Sequence, residues 1–317
     1  MKHVFIINPA SGHKDNEAEI RQALTDCNRL QECEIYKTTN PKDATEFVDT
    51  WCKRHQEAVR FYACGGDGTL NEVIAGVIGH PEASVACYPC GSGNDFVKYY
   101  GGKENFMNIQ ELMNADDITI DAMRVGDHYS INVTNFGFDT KVCLAMEKYR
   151  HSALFNGKNA YTAGLINAFF KGMRTRVNIV ADGETICDSE ILLCTVANCQ
   201  YIGGSYRCAP YSSNHDGLLD ICMVKPISRL QLLTLIGSYS KGEHLDNPKF
   251  KDFIVYRRVK QLQLKGENDF AITVDGETFS SPTVDIEVIP GSIRLALPAK
   301  AAMYENIRAG KPGFGAN

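Results

Sequence analysis

The sequence predicts two domains of different class: an α/β N-terminal domain with a mostly parallel sheet, then an antiparallel β-sandwich C-terminal domain. Three observations carry this reading. The chain has 317 residues, more than a single domain of ~100–200 residues usually holds. Up to about residue 120, short apolar runs alternate with stretches of helical periodicity, the pattern of parallel strands joined by helices. Beyond that point apolar runs are joined by Gly-Asp or Asp-Gly pairs, and Asx-Gly between apolar runs is the turn chemistry of hairpins. The boundaries fall at 1–124, 125–299 and a mostly polar tail, 300–317, part of which is expected to be disordered.

Taken in order, His3–Ile7 is an apolar strand ending at Asn8-Pro9. Asn16–Leu30 follows as a helix with Ile20, Ala23, Leu24 and Cys27 on one face. Glu34–Lys37 reads as the second strand and Ala44–His55 as the second helix. Val59–Cys64 is the third strand, Leu70–Ile78 the third helix and Ser84–Tyr88 the fourth strand. Then Ile118–Val125 and Tyr129–Val133 flank Gly126-Asp127, and Val177–Val180 and Thr185–Cys194 flank Asp182-Gly183. Further strands are expected at Glu190–Ala197, Leu219–Val224, Gln261–Leu264, Ala271–Val274, Val284–Val288 and Ser292–Leu297, with helices near Thr140–Lys148 and Leu230–Tyr239.

Composition narrows the function classes. Hydrophobic residues make up 44% and charged residues 22%, with a net charge of -5; this excludes global disorder. A pI near 5.9 speaks against a nucleic-acid grip, which needs a basic footprint. No apolar stretch is long enough for a transmembrane helix. Met1–Pro9 reads as strand and turn rather than as a secretion signal, so a cytoplasmic protein is expected. The twelve cysteines are scattered among apolar neighbours and read as small buried hydrophobes. Cys87-Tyr88-Pro89-Cys90 is a redox pair, half a zinc site, or the close of a strand before a glycine turn. No second C-x-x-C completes a four-thiolate site.

The sharpest signal is Gly65-Gly66-Asp67-Gly68-Thr69-Leu70-Asn71-Glu72, between an apolar strand and a helical run. Glycines let backbone amides approach a ligand closely. The helix N-terminus adds orphan N–H groups and a positive dipole end, which suit a phosphate. No Gly-Lys-Ser/Thr follows, so this is not a Walker A loop. Two more turns, Asn8-Pro9-Ala10-Ser11-Gly12 and Gly91-Ser92-Gly93-Asn94-Asp95-Phe96, follow the first and fourth strands. Three such turns at the C-terminal ends of parallel strands point to a nucleotide site.

These motifs resemble the diacylglycerol kinase/sphingosine kinase superfamily of lipid kinases, above all its soluble bacterial branch. The resemblance extends from Asn8 to about Leu297. Shorter G-G-D-G strings occur in NAD kinases and phosphofructokinases; Asn71-Glu72 and Asn94-Asp95-Phe96 favour the lipid kinases. It implies a Rossmann-like first domain, of the NAD kinase/phosphofructokinase type, with a cleft between the domains. It also implies ATP and Mg2+ as cofactors. Asn8, Pro9, Ala10, Ser11 and Gly12 would hold ATP phosphates, Thr38 would touch the nucleotide, and Gly66, Asp67, Gly68, Thr69, Leu70, Asn71 and Glu72 would wrap the phosphates. Ser92 stands where the family usually has Thr and keeps the hydroxyl. Asp67, Asp95 and Asp121 would join an aspartate–water–magnesium network; read by themselves, they are equally caps of helices or turns. Ser213 and Leu218, through their carbonyls, and Asp216 would hold a structural magnesium, with His215 at a position often acidic in the family.

Phosphoryl transfer to a hydroxyl also needs a proton acceptor. Asp275-Gly276-Glu277 and Asp182-Gly183-Glu184 are the same tripeptide, and each alone reads as a hairpin turn. The resemblance selects the later copy, making Asp275 and Glu277 the catalytic pair without deciding which of them takes the proton.

Residues 141–176 carry seven Lys or Arg (Lys141, Lys148, Arg150, Lys158, Lys171, Arg174, Arg176) against one acid, Glu147, with aromatic and aliphatic residues interleaved. This suits an anionic membrane surface as well as a solvated helix face. The expectation is an ATP-dependent lipid kinase, phosphorylating diacylglycerol to phosphatidic acid. It would meet its lipid substrate at the membrane surface as a peripheral protein, without a nucleic-acid partner, and a homodimer is compatible. The alternatives are a kinase of the same superfamily acting on another lipid or on NAD, and a non-catalytic nucleotide- or lipid-binding sensor.

Overall fold

The computed structural model describes residues 1–12, 16–150, 174–204 and 206–309, for 145–150 and 308 the backbone alone. The chain forms two compact units.

The first unit contains Met1–Ala122, Ser213–Gly217 and Ile289–Asn317. Its strands are β1 (Lys2–Ile7), β2 (Cys33–Lys37), β3 (Val59–Gly65) and β4 (Ala83–Pro89), and its longer helices are α1 (Asn16–Asp26), α2 (Asp43–His55) and α3 (Asp67–Val77). Short helices α4 (Asp95–Lys98) and α5 (Ile109–Asn114) precede β5 (Asp116–Val125), whose last residues belong to the second unit. The strand order is β2-β1-β3-β4 and every pairing is parallel. All seven residues of β3 and of β4 are buried, as expected of parallel strands covered on both faces. Arg60 is buried within β3. Its guanidinium donates to the carbonyls of Leu112 (2.7 Å) and Ala115 (2.9 Å) and pairs with Asp117 at 2.8 Å. It thereby satisfies the C-terminal carbonyls of α5.

The second unit contains Met123–Ser212 and Leu218–Val288. After β6 (His128–Ser130) and β7 (Val133–Gly137) comes α6 (Phe138–Arg150). Then follow β8 (Thr175–Ala181), β9 (Glu184–Ile191), β10 (Leu193–Ala197), β11 (Leu219–Val224), α7 (Arg229–Lys241), β12 (Ile254–Val259), β13 (Gln261–Val274) and β14 (Glu277–Leu297). Strands β12-β11-β10-β7-β13-β14 lie side by side and β8-β9 pairs with β13, all antiparallel. One core cluster is built by Phe136, Ile179, Cys194, Val196, Ile221, Leu264, Ile272 and Ile286 with their neighbours. A second, under α6 and α7, joins Phe138, Val142, Leu193, Val224, Leu232 and Leu235. The predicted α/β domain and antiparallel β domain are both present.

Local differences have identifiable causes. Gln261–Leu264 and Ala271–Val274 are one strand, because the ladder to β14 runs through an irregularity between Lys265 and Phe270. Val284–Val288 and Ser292–Leu297 are likewise one strand, and Leu295 pairs in parallel with Val85 of β4. That pairing is why residues from 289 onward belong to the first unit rather than the second. The segment after Leu297 packs there too: Ala301, Met303 and Tyr304 are buried, and the Tyr304 hydroxyl donates to Asp116 at 2.7 Å. It contains a short helix, α8 (Tyr304–Arg308). In the basic stretch 141–176, residues 151–173 lie outside the described residues, including Lys158 and Lys171.

Candidate functional site

In the first unit the loops after β1, β3 and β4 open at the same sheet edge, since these strands are parallel neighbours. Hydrogen bonds lace them together. The Asn8 amide N–H donates to the Cys64 carbonyl (3.1 Å), and the Asn8 side-chain Nδ2 donates to Thr69 Oγ1 (3.0 Å). The Asn8 Oδ1 accepts from the Ala10 amide at 2.9 Å. The Gly65 carbonyl accepts from the amides of Cys90 (2.8 Å) and Gly91 (3.2 Å).

Glycine is required where the loops touch. A Cβ on Gly91 would lie 2.5 Å from Gly66 Cα, and one on Gly12, whose φ is +79°, would lie 2.7 Å from the Cys90 carbonyl oxygen. Gly68 differs: beyond its chain neighbours and the backbone of its own helix, a Cβ there meets nothing within 4 Å. It lies in the first turn of α3, whose leading amides have no intrahelical partner. A cradle of amides and hydroxyls with space over Gly68 fits the phosphates of a nucleotide.

Other predicted phosphate residues do different work. Leu70 is buried, so its side chain belongs to the core. Glu72 accepts from the Ala44 amide at 3.3 Å, and its carbonyl accepts from Thr45 Oγ1 at 2.8 Å, which holds α3 against the start of α2. Thr38 closes β2, its amide donating to the Ile7 carbonyl at 2.9 Å. Ser92 is exposed on its loop. The cysteines below the loops are chemically quiet: burial pushes Cys64 and Cys87 well up and Cys90 up to about 11.

Of the three network aspartates, Asp67 and Asp95 come together. A Cβ on Gly93 would find Asp67 Oδ2 at 3.2 Å and Asp95 Oδ2 at 3.9 Å. Asp67 also accepts from the Phe96 amide at 3.1 Å, and Asp95 pairs with Lys98 at 2.6 Å. Asp121, only 3% exposed, binds backbone instead. Its Oδ2 accepts from the Gly217 amide and its Oδ1 from the Gly291 amide, both at 2.8 Å. Its own amide donates to the Asn214 carbonyl at 2.7 Å. Asp121 therefore fixes the Ser213–Gly217 turn, the predicted structural metal site. The expected donors there, the Asp216 carboxylate and two carbonyls, are all oxygen and suit magnesium. Among the described residues no cluster of three or more acidic, His or Cys side chains could hold a metal, so an ion here would rest on carbonyls and water as well.

In the second unit Asp275 takes a left-handed backbone conformation (φ 46°) at the corner between β13 and β14. Its carboxylate accepts four hydrogen bonds: from Ser130 Oγ (2.8 Å) and from the amides of Ile131 (2.8 Å), Asn132 (3.1 Å) and Val133 (2.9 Å). Asp182 is its local twin, also at φ 46°, accepting from the amides of Lys260 and Gln261 at 3.1 Å. In both copies the aspartate ties a corner to a neighbouring strand. Glu277, two residues on, is exposed. The 130–133 segment was missed from sequence because backbone donors carry no motif.

Comparison with known proteins gives this arrangement its class. Residues 2–125 match the diacylglycerol kinase catalytic domain, and residues 132–297 match the YegS C-terminal NAD kinase beta sandwich-like domain. Together they define a two-domain kinase. The chain belongs to the family of diacylglycerol kinases and YegS-like lipid kinases. It is 27% identical over 289 residues to a diacylglycerol kinase of Bacillus subtilis, covering 87% of this chain and 90% of that one. It is 26% identical over 240 residues to a probable lipid kinase YegS-like of Shewanella frigidimarina, covering 74% and 75%. A diacylglycerol kinase structure from Bacillus anthracis superposes with a TM-score of 0.67 at 20% identity, covering 94% of this chain and 97% of that one. An Archaeoglobus fulgidus NAD kinase in complex with ATP does so with a TM-score of 0.51 at 12% identity, covering 97% and 99%. These last two show the shared fold. No helix of the described residues is long and apolar enough to cross a membrane.

Proposed function

We propose that the protein transfers the γ-phosphoryl group of ATP to the hydroxyl of a lipid, diacylglycerol being the favoured acceptor and phosphatidic acid the product. The observation that carries this reading is the laced cradle of three loops with open space over Gly68. Its amides and the α3 dipole would orient the phosphates and offset their charge. Magnesium, when bound, would supply further charge neutralisation, and Asp67 and Asp95 would hold it. A second ion would brace the turn carrying Ser213, Asp216 and Leu218.

The corner of the second unit divides the labour between its acids. Asp275 has its lone pairs committed to four donors and acts as a positioning residue. Glu277, exposed beside it, accepts the proton of the lipid hydroxyl as the new O–P bond forms. The lipid would be met at a membrane surface, with the basic stretch 141–176 attracting anionic headgroups. Incubation with radiolabelled ATP and a panel of diacylglycerol, other lipid alcohols and NAD tests the reading. Label in phosphatidic acid is expected; label in NADP, or in no product, would contradict it.

A further inference from the structure

Helix α7 packs on the second unit's sheet through one side. Leu232, Leu235 and Tyr239 are buried there, the two leucines in the core cluster shared with α6. The opposite side of a helix that meets water is normally polar. Here it is formed by Leu230, Leu233, Thr234 and Gly237, all exposed, at the i, i+3, i+4, i+7 spacing of a single face. Leu230 is 78% exposed and Leu233 60%, far beyond the 36% of Leu144 on α6.

This ridge stands on an ordered element. Ser228 Oγ accepts from the Gln231 amide at 3.3 Å, and Gln231 Oε1 accepts from the Ser228 amide at 2.9 Å. Such a reciprocal cap fixes the first turn, so the two leucines project from a closed helix end and not a frayed one.

The charge around the ridge is one-sided. Helix α7 contains Arg229 and Lys241 and no acid. An acid in the first turn would complement the helix dipole; a cation, Arg229, stands there instead. Lys225, just before the helix, donates from its amide to the Phe253 carbonyl (2.8 Å) and from Nζ to the Asp252 carbonyl (3.3 Å). Phe250 packs in the same cluster as Leu232, so segment 249–253 lies at this end of the helix. Lys249 and Lys251 are exposed on it. The two segments that meet here, 225–230 and 249–253, carry four cations and one acid, Asp252, in a chain of net charge -5. The exposed acids Glu243 and Asp246 follow the other end of the helix.

We propose that the N-terminal half of α7 is a docking surface for an anionic membrane. Leu230 and Leu233 enter the boundary between headgroups and acyl chains, and Lys225, Arg229, Lys249 and Lys251 meet the anionic headgroups. Apolar and basic residues gathered at one helix end fit that partner together. A ridge ringed by cations needs no matching groove in a bilayer, and two leucines are far fewer than the ~20–30 residues a side of a stable protein interface. The surface shares no residue with the basic stretch 141–176. The inference rests on the lipid-kinase reading, which requires contact with a bilayer, and adds to it an element that makes that contact.

The test is cosedimentation with vesicles of phosphatidylcholine and phosphatidylglycerol, without ATP or diacylglycerol. It compares wild type with Leu230→Ser/Leu233→Ser and with Lys225→Glu/Lys251→Glu. Wild type should bind, less as salt rises, and each double variant should bind about tenfold more weakly or worse. All four side chains are exposed, so both variants should melt close to wild type. Turnover on dioctanoylglycerol in neutral detergent should be unchanged in both, while turnover on diacylglycerol in anionic vesicles should fall with binding. Absence of wild-type binding, or binding by the leucine variant equal to wild type, would overturn the proposal. So would a wild-type dimer that the leucine substitutions split while vesicle binding stays intact, which would assign the ridge to a second copy of the chain. Vesicle binding that depends on these residues, with no lipid phosphorylated, would support the surface and contradict the kinase reading.

Discussion

At Gly68 the methyl group of an alanine would enter space that no protein atom occupies, on a helical residue where alanine is favoured by ~1 kcal/mol. Gly68→Ala should therefore melt at or slightly above the wild-type temperature. If phosphates lie against this turn, calorimetry should show ATP affinity reduced tenfold or more; unchanged affinity would remove the loop from the nucleotide site. The two Asp-Gly-Glu corners separate structure from chemistry in the same way. Asp275→Asn keeps a residue that tolerates the left-handed conformation but turns a donor toward donors, and should cost about 1–3 kcal/mol. Asp182→Asn should lower stability less, since that carboxylate is exposed, and should leave turnover alone. The glycines and acids of the loops were legible in sequence because close backbone approach and charge demand particular residue types. The role of Asp121 was not: a carboxylate that binds two distant amides leaves no local pattern.

Among the elements, the alternation of apolar runs and helical periodicity located β1 to β4 and α1 to α3 to within a few residues. Their period reflects burial on both sheet faces. The long strands β13 and β14 were broken in the sequence reading at a polar stretch, Lys265–Asp269, and at a Pro-Gly turn signal, Ile289–Gly291. The extended backbone runs through both, with a register shift in the pairing at the first and a change of partner, from β13 to β4, across the second; side-chain pattern reports neither. The Ser213–Gly217 turn is an element whose occupancy can be measured. Asp216→Ala should lower both melting temperature and activity if an ion binds there, because a ligand of the folded state alone stabilises it. EDTA should lower the wild-type melting temperature and leave the variant unchanged. Identical wild-type melts with and without EDTA would argue against a structural magnesium.

On the scale of the whole molecule, three groups that the fold deprives of water contribute to the response to pH. Burial holds His3 and His244 down at about 4, against 6.5 in a model peptide. The unfolded chain therefore binds more protons between these values, and stability is lost as pH falls from about 6.5 toward 4. Asp139 works in the opposite sense. Its carboxyl is held up at about 7, from 3.8, so its penalty is absent near pH 4 and fully present above pH 7. Asp139→Asn should melt like wild type near pH 4 and higher than wild type at pH 8, by at most about 4 kcal/mol in stability. Its melting temperature should fall more steeply on acidification. A constant offset at all pH values would show that the carboxyl is not shifted.

The central claim is that this chain moves a phosphoryl group to a lipid hydroxyl with Glu277 as proton acceptor. The direct measurement is label transfer from γ-labelled ATP to dioctanoylglycerol by wild type and by Glu277→Gln, at saturating ATP. The account predicts phosphatidic acid from wild type and turnover lower by about 10²–10⁴-fold in the variant, the usual range for general-base catalysis. ATP affinity and melting temperature should be unchanged in the variant. Equal turnover by the two proteins, or no labelled lipid from wild type, would contradict it.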